Sequence, residues 1–146
     1  MIATSQYSIH DLSRVELTPD LPRFNMPFEL GLDLGCRVYG TGSMARKRCL
    51  ILDSTPYRYQ QVLSDIAGQD IRAHANSPDQ LTVHVRQWLR GISHRTTIPG
   101  PARIIERFTR FSAALPVLCD DNGLVRNDVL FSEYVTLAEE WLRSAY

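Results

Sequence analysis

The residues of this sequence that could do chemistry fall in one segment, from Asp11 to Gly35. Asp11 and Ser13 stand at the end of a short strand-like run, and Glu29 comes four residues after Asn25, where a helical pattern opens. A carboxylate can act as a nucleophile or stabilise a positive charge that develops on a substrate. If the chain is an enzyme, we expect its site in this segment.

The elements that must position these residues alternate between short apolar runs and helical periodicity. Strands are predicted at 7–12, 48–53 and 70–74, and the middle one is apolar between charged ends, as expected of a strand covered on both faces. Helices are predicted at 25–35, 57–67 and 77–92, the last with Ser77 as its cap. This order predicts an α/β fold with a short parallel sheet of about three strands flanked by helices.

The first predicted helix carries most of the candidate site. Asn25 is predicted to cap it, and Pro27 is tolerated in the first turn, where backbone donors lack intrahelical partners. The residues predicted to face inward are Phe28, Leu32 and Leu34. Gly31 and Gly35 leave one face nearly bare, which would let the helix lie close against a sheet or a ligand.

The alternation ends at the Ile98-Pro-Gly-Pro break, after which two amphipathic helices are predicted near 102–115 and 132–144. Apolar stripes at this spacing are typical of core packing, so we assign these helices no chemistry. The predicted organisation is an α/β domain over 1–97 and a C-terminal helical extension over 98–146 that packs on the same domain.

Composition excludes several classes of protein. Sixteen basic residues balance sixteen acidic ones, so no field of one sign favours nucleic acid or an anionic membrane. The three cysteines are scattered and odd in number, which predicts buried apolar fillers in the cytoplasm. The four histidines share no metal-ligand spacing with them, so no metal site is expected. No apolar stretch is long enough to span a membrane.

Two stretches carry a family resemblance. Tyr-Ser-Ile-His-Asp-Leu-Ser-Arg is followed by Leu-Pro-Arg-Phe-Asn-Met-Pro-Phe-Glu-Leu-Gly-Leu-Asp-Leu-Gly. Together they resemble the nucleoside 2-deoxyribosyltransferase-like and TIR-like superfamily, in which a strand ends in Asp and Ser or Thr and a helix opens with Asn and Phe-Glu-Leu-Gly. The later Lys-Arg-Cys-Leu-Ile-Leu-Asp run is similar to that family's next strand, and the resemblance covers about 7–89. It implies a partial flavodoxin-like or TIR-like fold.

The resemblance also implies an activity, which is cleavage or transfer at the N-glycosidic bond of a nucleoside or of a nucleotide such as NAD. Glu29 matches the family's catalytic glutamate, whose carboxylate would stabilise or attack the anomeric carbon as the base leaves. Asp11 and Ser13 would hold ribose hydroxyls.

Three residues at the mouth of the helix, Arg23, Phe24 and Asn25, would contact the base or a phosphate, the latter favoured by the positive end of the helix dipole. No cofactor is expected, because NAD would be a substrate. The implied partners are a nucleoside or nucleotide ligand and further copies of the chain, with neither nucleic acid nor membrane.

Plainer interpretations stay open at this point. An acidic residue in the first turn of a helix gains about 0.3–1 kcal/mol from the dipole alone, so Glu29 could be structural. Asp11 and Asn25 could serve as turn and helix caps, and Ser13 as an ordinary loop residue. Members of the family begin with a further strand and helix that wall the pocket. Their lack of a counterpart here predicts a longer natural start, a site completed by another subunit, or a non-catalytic nucleotide-binding or protein-interaction module.

Overall fold

The fold was obtained as a computed structural model, which describes residues 2–15, 24–61, 63–66, 69–93 and 95–145. Its strands are β1 (Tyr7–Asp11), β2 (Arg48–Asp53) and β3 (Ile71–Ala73). Its α-helices are α1 (Asn25–Tyr39), α2 (Pro78–Ser93), α3 (Pro101–Asp121) and α4 (Phe131–Ala145). Contacts divide the chain into two compact units, Met1–Ile98 and Pro99–Tyr146. How the helical extension packs on the α/β part stays a prediction.

The three strands form one parallel sheet in the order β1-β2-β3. Tyr7 pairs with Arg48 at one end of the first ladder, and Ile51 pairs with Ile71 in the second. The predicted α/β class with a short parallel sheet is therefore confirmed. The central strand is buried from Leu50 to Asp53, and each of its aliphatic side chains contributes about 1.5–3 kcal/mol by leaving water.

Helices α1 and α2 cover opposite faces of this sheet. Successive side chains of a strand point to opposite faces, and Ser8 contacts Asp33 of α1 whereas Tyr7 packs edge-on against Trp88 of α2, with ring centroids 6.1 Å apart. The core under α1 is built from Leu12, Val15, Leu30, Ile51 and Tyr59. This core fixes how α1 lies beside the end of β1.

The inward face of α1 differs from the predicted one. Phe28 is 67% exposed and Leu32 is also exposed, whereas Leu30 and Asp33 are buried and Leu34 is half-buried. Apolar character alone favours Phe28 and Leu32 as the core face, but the helix is rotated so that Leu30 and the carboxylate of Asp33 face the sheet.

The predicted close approach of Gly31 and Gly35 to the sheet is not found. A side chain added at Gly31 or Gly35 would meet nothing within 4 Å. They line a solvent-facing apolar groove with Phe28, Leu32, Cys36 and Tyr39.

The predicted α-helix at 57–67 is wrong. The chain forms two 3-10 turns instead, Arg58–Gln61 and Ser64–Ile66, with residues 62, 67 and 68 outside the described part. Tyr57 has a φ of 61°, which an α-helix cannot include. The next residue, Arg58, is drawn back toward Asp53 by an ion pair of 2.5 Å, so the segment cannot extend away as a regular helix.

The C-terminal unit is an α3–α4 hairpin with its own apolar cluster around Phe111, Cys119 and Leu137. Helix α3 is longer than predicted, because it continues through Pro116 to Asp121. The buried stripe carries on past the proline at Leu118 and Cys119, and this packing offsets the backbone hydrogen bond that Pro116 cannot donate. At the start of α4, the Glu133 carboxylate accepts the Leu130 backbone N–H at 2.8 Å.

Candidate functional site

A cavity of about 350 Å³ opens where β1 ends and α1 begins. The last residue of the strand and those just beyond it line one side, and the first turns of the helix line the other. The lining residues are Asp11, Ser13, Arg14, Val15, Asn25, Met26 and Glu29. Four of the six predicted site residues are thus brought to one concavity, at the carboxyl end of a parallel strand, where ligands of open α/β sheets bind.

Asp11 is held in place on the strand side of the cavity. Its Oδ1 accepts the Ser13 backbone N–H at 2.9 Å and lies 3.3 Å from Nε2 of His74. Burial favours the neutral acid, but hydrogen bonds from Ser13 and His74 outweigh it and hold the pKa of Asp11 below its usual value of 3.8. Asp11 is therefore a carboxylate at neutral pH, and it is oriented before any ligand arrives.

Glu29 lines the helix side of the cavity and is half-buried. Among the described residues, its carboxylate has neither a hydrogen-bond nor an ion-pair partner. Helix α1 begins at Asn25, and its first turn contains no acidic residue, so Glu29 lies beyond the reach of the strongest dipole effect. Helix stabilisation alone therefore does not explain a glutamate here.

The three residues predicted at the helix mouth have different outcomes. Asn25 lines the cavity, but it does not cap the helix: the cap position is Phe24, whose side chain makes no capping bond. An Asn25 cap would need the backbone N–H of residue 27 or 28. Pro27 has none, and that of Phe28 goes to the Phe24 carbonyl at 2.9 Å.

Phe24 is 62% exposed and is not among the cavity-lining residues, and Arg23 lies outside the described residues. Their contacts with a ligand therefore stay predictions. Arg14, which is not among the predicted site residues, brings a positive charge to the cavity.

A second group of polar residues, which the sequence reasoning missed, lies buried between β1, β2 and α1. We call it the Asp33 cluster, and its members are Ser8, His10, Asp33, Lys47 and Cys49. Asp33 is 2% exposed; its Oδ1 lies 2.9 Å from Nζ of Lys47, and its Oδ2 accepts the Ser8 hydroxyl and lies 3.3 Å from Nε2 of His10. A signal was present, because Lys47 is the only lysine among sixteen basic residues.

The electrostatics of the Asp33 cluster are those of an ion pair sealed inside the protein. Burial opposes ionisation of Asp33, yet hydrogen bonds from Ser8, Lys47 and His10 keep its pKa below 3.8. Nζ of Lys47 also donates to the Ile2 carbonyl at 2.6 Å and to the Ser5 carbonyl. The ammonium thus has two backbone acceptors and a carboxylate counter-charge, and a buried charge is tolerated when it is paired and hydrogen-bonded in this way.

Three members of this cluster could be read as metal ligands. Donor atoms of His10, Asp33 and Cys49 lie within 4.8 Å of one another. However, the Lys47 ammonium already neutralises Asp33, and a divalent ion at Oδ2 would lie beside that ammonium in a buried site. The donor set therefore fits a hydrogen-bonded ion pair better than a metal, and the absence of a metal site stays a prediction.

Cys49 is expected to resist alkylation in the folded protein. Burial, and then the negative charge of Asp33, raise the pKa of the Cys49 thiol from 9.0 to about 11. At pH 8 the fraction of Cys49 present as the reactive thiolate is then about a hundredfold smaller than that of an ordinary cysteine. We expect iodoacetamide to modify Cys49 at least that much more slowly in native protein than in urea, as measured by peptide mass spectrometry. Equal rates in the two conditions would contradict this electrostatic description.

A third polar group holds the backbone at the end of β1, beside the cavity. The Arg58 guanidinium donates to Oδ1 of Asp53, from Nε at 2.9 Å, and to the Leu12 carbonyl at 2.7 Å. Asp53 is the last residue of β2, and Leu12 directly follows β1. The bond therefore ties the exits of two neighbouring strands together and fixes the backbone that carries Asp11 and Ser13.

Comparison with family models, with curated proteins and with solved structures finds no match to this chain. The resemblance to deoxyribosyltransferase-like and TIR-like proteins accordingly stays a prediction. No helix in the described ranges combines the length and the apolar character needed to cross a bilayer.

Proposed function

We propose that this chain cleaves or transfers the N-glycosidic bond of a nucleoside or an NAD-type nucleotide, with Glu29 as the catalytic carboxylate. The observation that carries the proposal is that one cavity holds both a preoriented aspartate and a glutamate whose carboxylate has no partner among the described residues. A carboxylate left free in a concave polar site is available to a substrate, whereas one fixed by neighbours is suited to holding it.

The two carboxylates would have different roles. Asp11 would accept hydrogen bonds from ribose hydroxyls, which places the anomeric carbon near the helix side of the cavity. The Glu29 carboxylate would then form a bond to that carbon, or stabilise its positive charge, while the carbon–nitrogen bond breaks and the base leaves with the electron pair. The base of a nucleoside takes up a proton from solvent, whereas nicotinamide, which is cationic in NAD, leaves as a neutral molecule without one. Water, which loses a proton, or a second base then attacks the anomeric carbon and displaces any bond to Glu29, to give hydrolysis or transfer.

Size and charge of the cavity bear on the substrate. A volume of about 350 Å³ is at the lower end of ligand sites and suits one nucleoside unit. Arg14 at the rim would pair with a phosphate on that unit. The three free cysteines are consistent with a reducing compartment, so we propose that the reaction takes place in the cytoplasm.

The test is a base-release assay. Purified protein is incubated with adenosine, thymidine, their 5′-monophosphates and NAD, and free base or nicotinamide is measured by chromatography. We expect release from at least one of them. Thermal stabilisation by a nucleoside without any release would favour the non-catalytic binding module instead. If the assay shows neither base release nor thermal stabilisation, both functions are contradicted.

We also propose that the chain self-associates through the apolar groove of α1. The exposed Phe28, Leu32 and Tyr39 side chains form one apolar stripe beside two glycines, and a second copy of the chain could cover this stripe. Light scattering after size exclusion at micromolar concentration is expected to give a dimer or larger species, and Tyr39→Arg is expected to shift it toward monomer. A monomer for the unsubstituted chain would contradict this prediction.

A further inference from the structure

The three strands end side by side, and the residue that follows β3 reaches across to the candidate site. His74 is 5% exposed, and its Nε2 lies 3.3 Å from Oδ1 of Asp11, although the two residues are 63 positions apart in sequence. His74 does not line the cavity. It stands behind Asp11, so any effect on a ligand passes through that carboxylate.

The backbone around His74 is held firmly on both sides. Its N–H donates to the Asp53 carbonyl at 2.9 Å, and its carbonyl accepts the Ser77 N–H at 2.8 Å. The two intervening residues, Ala75 and Asn76, have φ values of 50° and 55°. Left-handed conformations at two successive non-glycine residues are costly, and such strain persists where the surrounding structure requires it. This turn keeps the imidazole beneath Asp11.

We propose that His74 is a positioning residue of the site, which donates from Nε2 to Oδ1 of Asp11 and so holds that carboxylate in the orientation that binds the sugar. This inference rests on the proposed function. Oδ1 also accepts the Ser13 N–H, which leaves Oδ2 as the oxygen available to a ribose hydroxyl. Loss of the His74 donor leaves Oδ1 bonded to the Ser13 N–H but removes the second support, so the carboxylate can rotate about the remaining bond and turn Oδ2 away from the sugar.

The first arm of the test compares two conservative variants. Glutamine at position 74 places its amide nitrogen about where Nε2 lies, whereas the shorter asparagine does not reach Asp11. We expect His74→Gln to keep most of the base-release activity and His74→Asn to lose about 10–100-fold in kcat/KM, the usual cost of a misplaced binding group. His84→Gln is the matched control, because His84 contacts the Ala73 carbonyl rather than Asp11.

The second arm separates positioning from a merely structural role. If His74 acts through Asp11, then His74→Asn has no further effect on kcat/KM in an Asp11→Asn background. If the two residues act independently, the fold losses of the two single variants multiply in the double variant. Equal activities of His74→Gln and His74→Asn, or multiplicative losses in the double variant, overturn the inference while leaving the glycosidase proposal intact.

A wild-type protein that releases no base overturns the proposed function rather than this contact. The same variants are then compared for adenosine affinity by calorimetry, with the same ranking expected. If adenosine does not bind the wild-type protein, the positioning role falls together with the function.

Discussion

Replacing Lys47 by methionine is expected to lower the free energy of unfolding by about 3–5 kcal/mol, the usual cost of breaking a buried ion pair on one side. Lys47 is 3% exposed, and its ammonium forms an ion pair with Asp33 and hydrogen bonds to two backbone carbonyls. Methionine fills similar space but leaves the Asp33 carboxylate in the interior without its counter-charge. Urea denaturation followed by circular dichroism measures the loss, which is a large part of the roughly 5–15 kcal/mol typical of a domain.

The neighbouring Arg46→Met is the matched control for this substitution. Arg46 is exposed, so the same kind of change there is expected to cost no more than about 0.5 kcal/mol. Adding Asp33→Asn to Lys47→Met removes the unpaired charge and is expected to recover part of the stability, giving a measurable coupling energy between the two positions. Lys47→Met and Arg46→Met of equal stability would show that the ion pair does not hold α1 to the sheet.

Replacing Glu29 by glutamine is expected to reduce base release by at least about 10²–10³-fold, the range seen when one group that stabilises a transition state is removed. Glutamine preserves the shape of the side chain but can neither attack the anomeric carbon nor balance its charge. Because no described residue bonds to the Glu29 carboxylate, stability should change by less than about 0.5 kcal/mol. A loss of rate without a loss of stability is the result that identifies a catalytic group.

Glu139→Gln provides the control for the loss of a negative charge, since Glu139 is an exposed residue of α4. We expect its rate of base release to equal that of the unsubstituted chain. If Glu29→Gln keeps full activity, or if its activity falls only in step with unfolding, then Glu29 is not the catalytic carboxylate.

Local patterns predicted the regular elements well where one residue type dominates. The apolar run between Arg48 and Asp53 is the central strand with the predicted bounds. Pro78 begins α2, and the Gln80 N–H lies 3.3 Å from the Ser77 hydroxyl oxygen, as the capping pattern predicts. The cavity could also be anticipated, because parallel strands end at one edge and the Asp11–Glu29 segment spans a strand end and a helix start.

Long-range polar contacts could not be predicted in this way. Nothing local distinguishes Asp33 from a solvated helix residue, and its burial depends on a lysine fourteen residues later and on two side chains of β1. The same dependence explains the wrong orientation of α1, since the helix turns to pair Asp33 rather than to bury Phe28. The same holds for His74, because its contact with Asp11 depends on the side-by-side pairing of β1, β2 and β3, which local sequence does not give.

Because Lys47 is enclosed, its chemical modification can report on unfolding of the protein. It carries the only side-chain amine of the sequence, and in the folded state that amine is shut away beneath the Ile2–Ser5 segment. An acylating reagent can reach it only in molecules whose interior has opened. The rate of acylation at this one position, followed by mass spectrometry, therefore measures how often the interior opens, without an introduced dye or a mutation.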